Sequence, residues 1–235
     1  MLFGWFYYDW TILLVLPAMI FSLWAQFRVN STFQKYSRER TRSGKSAADA
    51  ARAMLDANGL YSVRIGRVHG HLSDHYNPKD KTLYLSDSVY DSCSAAAIGV
   101  ACHEAGHALQ DARAYAPLRL RMSIIPVCNF GSRLAMPLFL IGLLFAGDFG
   151  WSFMVAGIAC FSLATLFQLV TLPVEFDASR RALAGMRESR IFDSEELAAS
   201  RRVLSAAAMT YVAALATSLL SLLRLLVIAS GRRRD

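Results

Sequence analysis

The chain has 235 residues, of which 54% are hydrophobic and 18% are charged, and its formal net charge at pH 7 is +7. Soluble domains carry about a quarter charged residues, so this composition excludes a disordered chain and argues against an ordinary soluble globule. Because the hydrophobic residues are gathered into long uninterrupted runs instead of amphipathic stripes, the sequence predicts an integral membrane protein.

Four apolar runs are each long enough to cross a bilayer, whose hydrocarbon core takes roughly 20 helical residues. They cover about residues 10–27, 124–145, 152–172 and 204–230. Aromatic residues at positions 5–10 and the absence of a preceding Lys or Arg indicate that the first run is an anchor, not a cleaved signal. Arg133 interrupts the second run, so it should face protein, find a partner or mark a shifted boundary. Arg224 leaves open whether the last run crosses once or turns back as a re-entrant hairpin.

Lys and Arg residues are concentrated after the first run, before the second and after the third. The positive-inside rule therefore places these segments on the cytoplasmic side of the plasma membrane. The predicted organisation is an anchor (residues 1–28), a cytoplasmic domain (29–122), a transmembrane hairpin (123–172), a second cytoplasmic segment (173–203) and a membrane segment with a basic tail (204–235). Since the basic residues flank the spans, we interpret the positive net charge as a signal that sets the orientation in the membrane. We expect a lipid bilayer, not nucleic acid, as the partner.

The segment between the first two runs has the pattern of a small α+β fold. We predict a helix over residues 46–58 with Ser46 as its N-cap, strands over 63–69 and 82–86, and a helix over 92–110 capped by Asp91 or Ser92. The strand over 82–86 is a candidate edge for an extended peptide. The fold class is thus a mainly α membrane protein with about four transmembrane helices and a small zincin-like cytoplasmic domain. The four cysteines are scattered and suggest neither a zinc ribbon nor disulfides.

The sequence His103-Glu104-Ala105-Gly106-His107 is an H-E-x-x-H motif on the second of these helices. Residues four apart lie on the same helix face, so both imidazoles can bind one Zn²⁺ while Glu104 flanks the open coordination position. The alternative, two buried structural histidines, leaves the Glu104 charge without a partner in an otherwise uncharged helix. His69, His71 and His75 lie in a segment with loop character, so a second metal site is not expected there.

A catalytic zinc site usually takes three protein ligands, so a third must come from elsewhere in the chain. Glu175, three residues after the third apolar run, is the best candidate, although it could equally be a favourable charge at a helix N-terminus. We expect Glu188, Glu195 and Glu196 to be solvated helix charges, and Glu39 lies beside the first run.

The sequence resembles the YugP-like family of neutral zinc metallopeptidases of bacterial membranes over nearly its whole length. The resemblance depends on residues 73–78, on 85–86, on 95–110 around HEAGH, on 115–118 and on 172–179. It implies that His103, His107 and Glu175 are the zinc ligands and Glu104 the catalytic residue of a gluzincin-like site. The HtpX-like and CAAX prenyl-type membrane proteases are similar in plan but have an Asp four residues after the Glu ligand. Here Ser179 stands at that position, so the orienting role of that Asp is not transferred to Asp177.

The predicted function is peptide-bond hydrolysis by metal-activated water, with Glu104 as the general base. The substrate would be a polypeptide, with membrane-associated polypeptides as candidates because of the location. Arg180, Arg181 and Tyr115 are candidate oxyanion donors by position alone. The main alternative is a non-catalytic membrane scaffold or chaperone-like protein with a closed structural zinc site. A transporter ranks last, because the spans contain no acidic residue to bind a coupling ion.

Overall fold

The computed structural model describes residues 10–190 and 192–232, which form six helices and a three-stranded sheet. In chain order these are α1 (Ile12–Tyr36), α2 (Ala47–Ala57), β1 (Arg64–Val68), β2 (His75–Asn77), β3 (Thr82–Ser86), α3 (Ala95–Ala112), α4 (Ala116–Leu144), α5 (Gly147–Glu188) and α6 (Ser194–Arg232). This confirms the mainly α fold class. The aromatic residues predicted as an anchor at positions 5–9, and the tail residues 233–235, lie outside the described residues.

Helices α1, α4, α5 and α6 are long and apolar enough to cross a membrane, so each predicted apolar run lies within a helix. Helix α6 is continuous through Arg224, whose Nε donates a hydrogen bond to Thr11 Oγ1 at 3.1 Å. The re-entrant alternative for the last run is therefore wrong, because a hairpin would require a break in the helix at this point. The Arg133 side chain is exposed on α4 and does not pack into protein.

The chain divides into two compact units, and the first, here called the apolar unit, contains residues 1–24, 120–172 and 211–235. Within it α4 and α5 approach closely at Gly157, where an added Cβ would lie 2.7 Å from the Phe139 nitrogen and 2.8 Å from the Ala135 oxygen. Hydroxyl pairs join other helices, with 2.7 Å between the oxygens of Thr165 and Ser218. Inside a lipid bilayer the hydrophobic effect does not drive helices together. Helices there associate through the close packing of small residues and through hydrogen bonds between hydroxyl groups.

The second unit, here called the polar unit, contains residues 25–119 and 173–210. Helix α2 starts at a capping box, in which Ser46 accepts from the Asp49 N–H and Asp49 from the Ser46 N–H, and its apolar face is buried against α3. The sheet has the order β1–β3–β2, with β1 parallel and β2 antiparallel to β3. Leu83 and Leu85 of β3 are fully buried in the same core as Ile98 of α3, so this core fixes the position of α3.

Three local predictions for the polar unit are wrong, and the alternative that β3 is an edge strand is excluded. The N-cap of α3 is Ser94, not Asp91 or Ser92. Strand β2 begins at His75, in a segment assigned to a loop, because three residues are too few to show alternation. Strand β3 is the central strand and offers no free edge to a peptide. Glu196 is buried and accepts hydrogen bonds from the backbone N–H groups of Arg42 and Asp193, so it is not a solvated charge.

Helices α3 and α5 make a close contact at Gly106. A Cβ added to this glycine would lie 2.5 Å from the Ala178 carbonyl oxygen and 3.1 Å from its carbon. Since both of these atoms belong to the backbone of α5, the contact cannot be relieved by moving a flexible side chain. Only glycine permits this distance between the two helices, and the motif residues of α3 are therefore held directly against α5.

The Gly106→Ala variant should lower the free energy of unfolding by about 1–3 kcal/mol, because overpacking forces the α3 and α5 backbones apart. Thermal unfolding of the detergent-solubilised protein measures this change. Gly231→Ala is the matched control, since a Cβ there meets nothing within 4 Å and alanine is the better helix former. An unfolding midpoint for Gly106→Ala equal to that of the control would contradict the close contact.

Candidate metal centre

Helix α3 brings the His103 and His107 side chains to the same face, one helical turn apart. Their ring centroids are 4.8 Å apart and their planes lie at 82° to each other. Small residues on α3, among them Ala101, Ala105 and Ala108, are buried, so the helix packs closely while the rings project into an enclosed space. The two side chains are only 14% and 12% exposed, which shields them from bulk water.

The Glu175 carboxylate reaches the two imidazoles from α5. Its Oε2 atom lies 3.2 Å from His103 Nε2 and 3.6 Å from His107 Nε2, and the side chain is only 3% exposed. Three ligand atoms bound at about 2.0–2.1 Å to a tetrahedral zinc ion lie roughly 3.3 Å from one another. The two N–O distances therefore match the spacing of zinc ligands, and nitrogen and oxygen are donor types that zinc prefers.

The His107 ring is oriented by Gln110, which sequence analysis missed. Gln110 is fully buried, and its Nε2 donates to the Val174 carbonyl at 2.8 Å and to Asp177 Oδ2 at 2.9 Å. Because a carbonyl only accepts, these bonds fix the amide orientation and leave Gln110 Oε1 as the acceptor for His107 Nδ1–H at 3.0 Å. The neutral ring then has its lone pair on Nε2, which faces Glu175. The spacing of three residues on one helix was the available signal.

Asp177 acts on His107 only through Gln110. Its carboxylate is 3% exposed and also accepts hydrogen bonds from Arg180 and from Arg181 Nε, the latter at 2.5 Å. The two guanidinium groups supply the positive charge that a buried carboxylate requires. This arrangement engages both arginines that were candidate oxyanion donors, and the Arg181 guanidinium lies over the ring of the third candidate, Tyr115, at 5.7 Å.

The His103 ring is held by Ser179 in the same way. The Ser179 hydroxyl oxygen lies 3.1 Å from His103 Nδ1, on the side of the ring opposite the nitrogen that faces Glu175. The serine that departs from the HtpX-like pattern thus still contacts the first histidine, with a hydroxyl in place of a carboxylate. A hydrogen-bond partner on Nδ1 fixes the direction of a ligand imidazole.

Glu104 lies beside the two histidines, with the potential ligand atoms of the three residues all within 4.8 Å of one another. Its Oε2 accepts the backbone N–H of Tyr76 in β2 at 3.0 Å, so an edge strand of the sheet positions it. Burial raises the pKa of Glu104 and outweighs the opposite effect of the neighbouring histidines. Burial lowers the pKa of His107, but Glu175 and Glu104 outweigh it and the net shift is upward. The site therefore favours a positive charge between its carboxylates.

Each of the remaining histidines contacts a different partner outside this cluster. His69 pairs with Asp87, His71 contacts the Phe33 ring and His75 stacks on Tyr84. The potential ligand atoms of His103, Glu104 and His107 lie within 4.8 Å of one another, and Glu175 adds a carboxylate oxygen close to both imidazoles. The expectation that the histidine-containing loop holds no second metal site stays a prediction.

Comparison with known proteins agrees with this geometry. Residues 11–230 match the family described as "putative neutral zinc metallopeptidase". The chain is 46% identical over 224 residues to "Putative membrane protease YugP" of Bacillus subtilis (strain 168), which covers 95% of this chain and 98% of the relative. No solved structure gives a significant match. The chain therefore belongs to this family, and Zn²⁺ is the cofactor that the membership implies.

Proposed function

We propose that the protein is a membrane-bound zinc peptidase of gluzincin type, with His103, His107 and Glu175 as the metal ligands and Glu104 as the catalytic base. The observation that carries this proposal is the approach of Glu175 Oε2 to within 3.2 Å and 3.6 Å of the two Nε2 atoms. These atoms come from residues 72 positions apart in the chain for the closer pair. Three ligands leave one position of a tetrahedron open, as in catalytic zinc sites.

Each residue of the site has a separate role in the proposed hydrolysis. When bound, the zinc ion supplies Lewis acidity, which makes water more acidic and polarises the scissile carbonyl. Glu104, with its raised pKa, accepts the proton of the attacking water and passes it to the leaving amine. The Tyr76 N–H holds the Glu104 carboxylate in position for this transfer. Gln110 keeps the His107 imidazole in the tautomer that leaves Nε2 free for the metal, and Ser179 fixes the direction of the His103 ring.

The alternative of a scaffold with a closed structural zinc site requires a fourth protein ligand. Glu104 is the only further carboxylate grouped with the two histidines in the described part of the chain. The two functions therefore assign different roles to this one residue. The Tyr76 N–H bond to one carboxylate oxygen favours the role of a base held beside the metal over that of a ligand.

We also propose that the metal centre faces the cytoplasm, at the surface of the plasma membrane. All residues of the centre lie in the polar unit. Most of the Lys and Arg residues that flank the apolar runs, including Arg28, Arg119 and Arg121, are on the ends that connect to this unit, whereas Arg232, Arg233 and Arg234 follow the far end of the last run. The positive-inside rule, applied to the more basic ends, supports their location in the cytoplasm. Polypeptides at or near the membrane are then the substrates within reach of the site.

Replacing Glu175 with alanine should remove zinc binding, because two imidazoles alone leave the ion with an incomplete site. The zinc content of the purified protein, measured by inductively coupled plasma mass spectrometry, should fall from about one ion per chain to near zero. Glu188→Ala removes an exposed carboxylate from the same helix and serves as the control. Stoichiometric zinc in Glu175→Ala would remove Glu175 from the ligand set.

The Glu104→Gln variant should retain zinc but lose hydrolysis by at least about 10²-fold, since a positioned general base contributes 10²–10⁴-fold. The two measurements are zinc content and the release of new amino termini from casein and from a mixed peptide library. A closed structural site with Glu104 as a ligand predicts the reverse, a loss of zinc in this variant. Turnover equal to that of the wild type would refute the role of Glu104 as the base.

Removing the Ser179 hydroxyl should weaken zinc binding by about 10–100-fold, because the His103 ring loses the group that orients it. Competition with a chromogenic chelator measures the zinc affinity of Ser179→Ala. The unfolding midpoint of the metal-free protein should stay close to that of the wild type, which separates orientation from folding. Ser189→Ala, whose hydroxyl bonds to the Met186 carbonyl on the same helix, is the control. Equal affinities in both variants would show that Ser179 does not position His103.

A further inference from the structure

A cavity with a volume of about 600 Å³ lies between α1 and α6 in the polar unit. Four cationic side chains line it, two from each helix: Arg28, Lys35, Arg201 and Arg202. The hydroxyl groups of Ser31 and Ser205 also reach it. The metal centre and its supporting residues do not contribute to this lining, so the cavity is a separate feature.

No acidic side chain lines this cavity in the described part of the chain. The acids at the start of α6 are engaged elsewhere: Glu196 binds the Arg42 N–H, and Asp193 and Glu195 form ion pairs with the Arg42 guanidinium. Four positive charges on two facing helices repel one another. An anion placed between the helices would turn this repulsion into attraction from both sides.

The cavity lies at the level where two apolar runs end. Arg28 is the first charged residue after the uncharged run over residues 10–27 of α1, and Arg202 is followed after one residue by the apolar run over 204–230 of α6. If these runs occupy the hydrocarbon core, the cationic side chains lie at the depth of the lipid headgroups. The anions present in quantity at that depth are lipid phosphates.

A second cavity, of about 900 Å³, adjoins the first and shares Ala198, Arg201 and Ser205 with it. Apolar side chains, among them Phe176, Leu204 and Met209, make up most of its lining. Ser179, Arg180 and Arg187 also line it, so this second cavity reaches residues that support the metal centre. A ligand that fills both cavities has an anionic group and a hydrocarbon part. This combination describes a phospholipid and does not describe an inorganic anion.

We propose that the polar unit binds an anionic phospholipid, with the phosphate between α1 and α6 and the upper part of an acyl chain in the adjoining apolar cavity. Guanidinium groups donate two parallel hydrogen bonds to phosphate oxygens, and the ammonium group of Lys35 adds a point charge. Arg202 is held in place for this purpose, because its Nη1 donates to the Tyr36 hydroxyl at 2.8 Å and Tyr36 is buried. Binding would fix the segment of α6 that follows Asp193 against α1.

The experiment uses the full-length protein in a neutral detergent and measures the thermal unfolding midpoint and the dissociation constant, the latter by native mass spectrometry. The probes are phosphatidylglycerol, the zwitterionic phosphatidylcholine, and inorganic phosphate. Phosphatidylglycerol should raise the midpoint and bind at least tenfold more tightly than phosphatidylcholine, and inorganic phosphate should have no effect at equal concentration.

The Lys35→Gln/Arg201→Gln variant should bind phosphatidylglycerol on the order of 30-fold more weakly, at a factor of about five for each basic residue. Arg113→Gln/Arg119→Gln removes the same charge near the start of α4 and should bind as the wild type does. Arg201→Lys keeps the charge but not the fork, and its partial loss of affinity would confirm the bidentate contact even if the double variant failed to fold. Equal effects of inorganic phosphate and phosphatidylglycerol would overturn the lipid assignment, and equal losses in the two double variants would overturn the site.

Discussion

The contact between the Glu175 carboxylate and two imidazoles is the interaction on which the metal centre depends. A carboxylate that is 3% exposed is costly to bury unless positive charge or hydrogen-bond donors surround it. Glu175 Oε2 lies 3.2 Å from His103 Nε2 and 3.6 Å from His107 Nε2. A divalent cation bound by these three atoms would stabilise the buried carboxylate.

Helix α5 supplies nearly everything that organises this centre around the motif of α3. Glu175 provides the ligand oxygen, Asp177 fixes Gln110 and through it His107, and Ser179 contacts His103. These three residues occupy every second position along little more than one turn of α5. For all three to reach their partners, α5 must lie at one particular register and distance relative to α3. The absence of a side chain at Gly106 permits that distance, since Ala178 lies between Asp177 and Ser179. The contact between Gly106 and Ala178 therefore sets both the packing of α3 on α5 and the position of the residues of the metal centre.

The cationic cavity and the metal centre both lie in the polar unit and share no residue, whereas the adjoining apolar cavity reaches Ser179. The cationic cavity between α1 and α6 belongs to the part of each helix that continues an apolar run, whereas the centre belongs to α3 and to the end of α5. Helix α5 contains both an apolar run and the site residues, with Glu175 three positions after the run ends. The site residues therefore follow directly on a helix that is long and apolar enough to cross a membrane.

The sequence by itself determined the four apolar helices, the capped helix α2, strand β3 and the position of His103 and His107, because each depends on periodicity or spacing within one segment. It also singled out Glu175 as a candidate, although spacing could not distinguish a ligand from a charge at a helix terminus. Only the tertiary structure decided that Glu175 meets both imidazoles, that β3 is central and that Gln110 links Asp177 to His107. The contacts between α3 and α5 join residues 64 or more positions apart, and β3 pairs with β1 across 18 positions. Local patterns carry no information about which of these segments pack together.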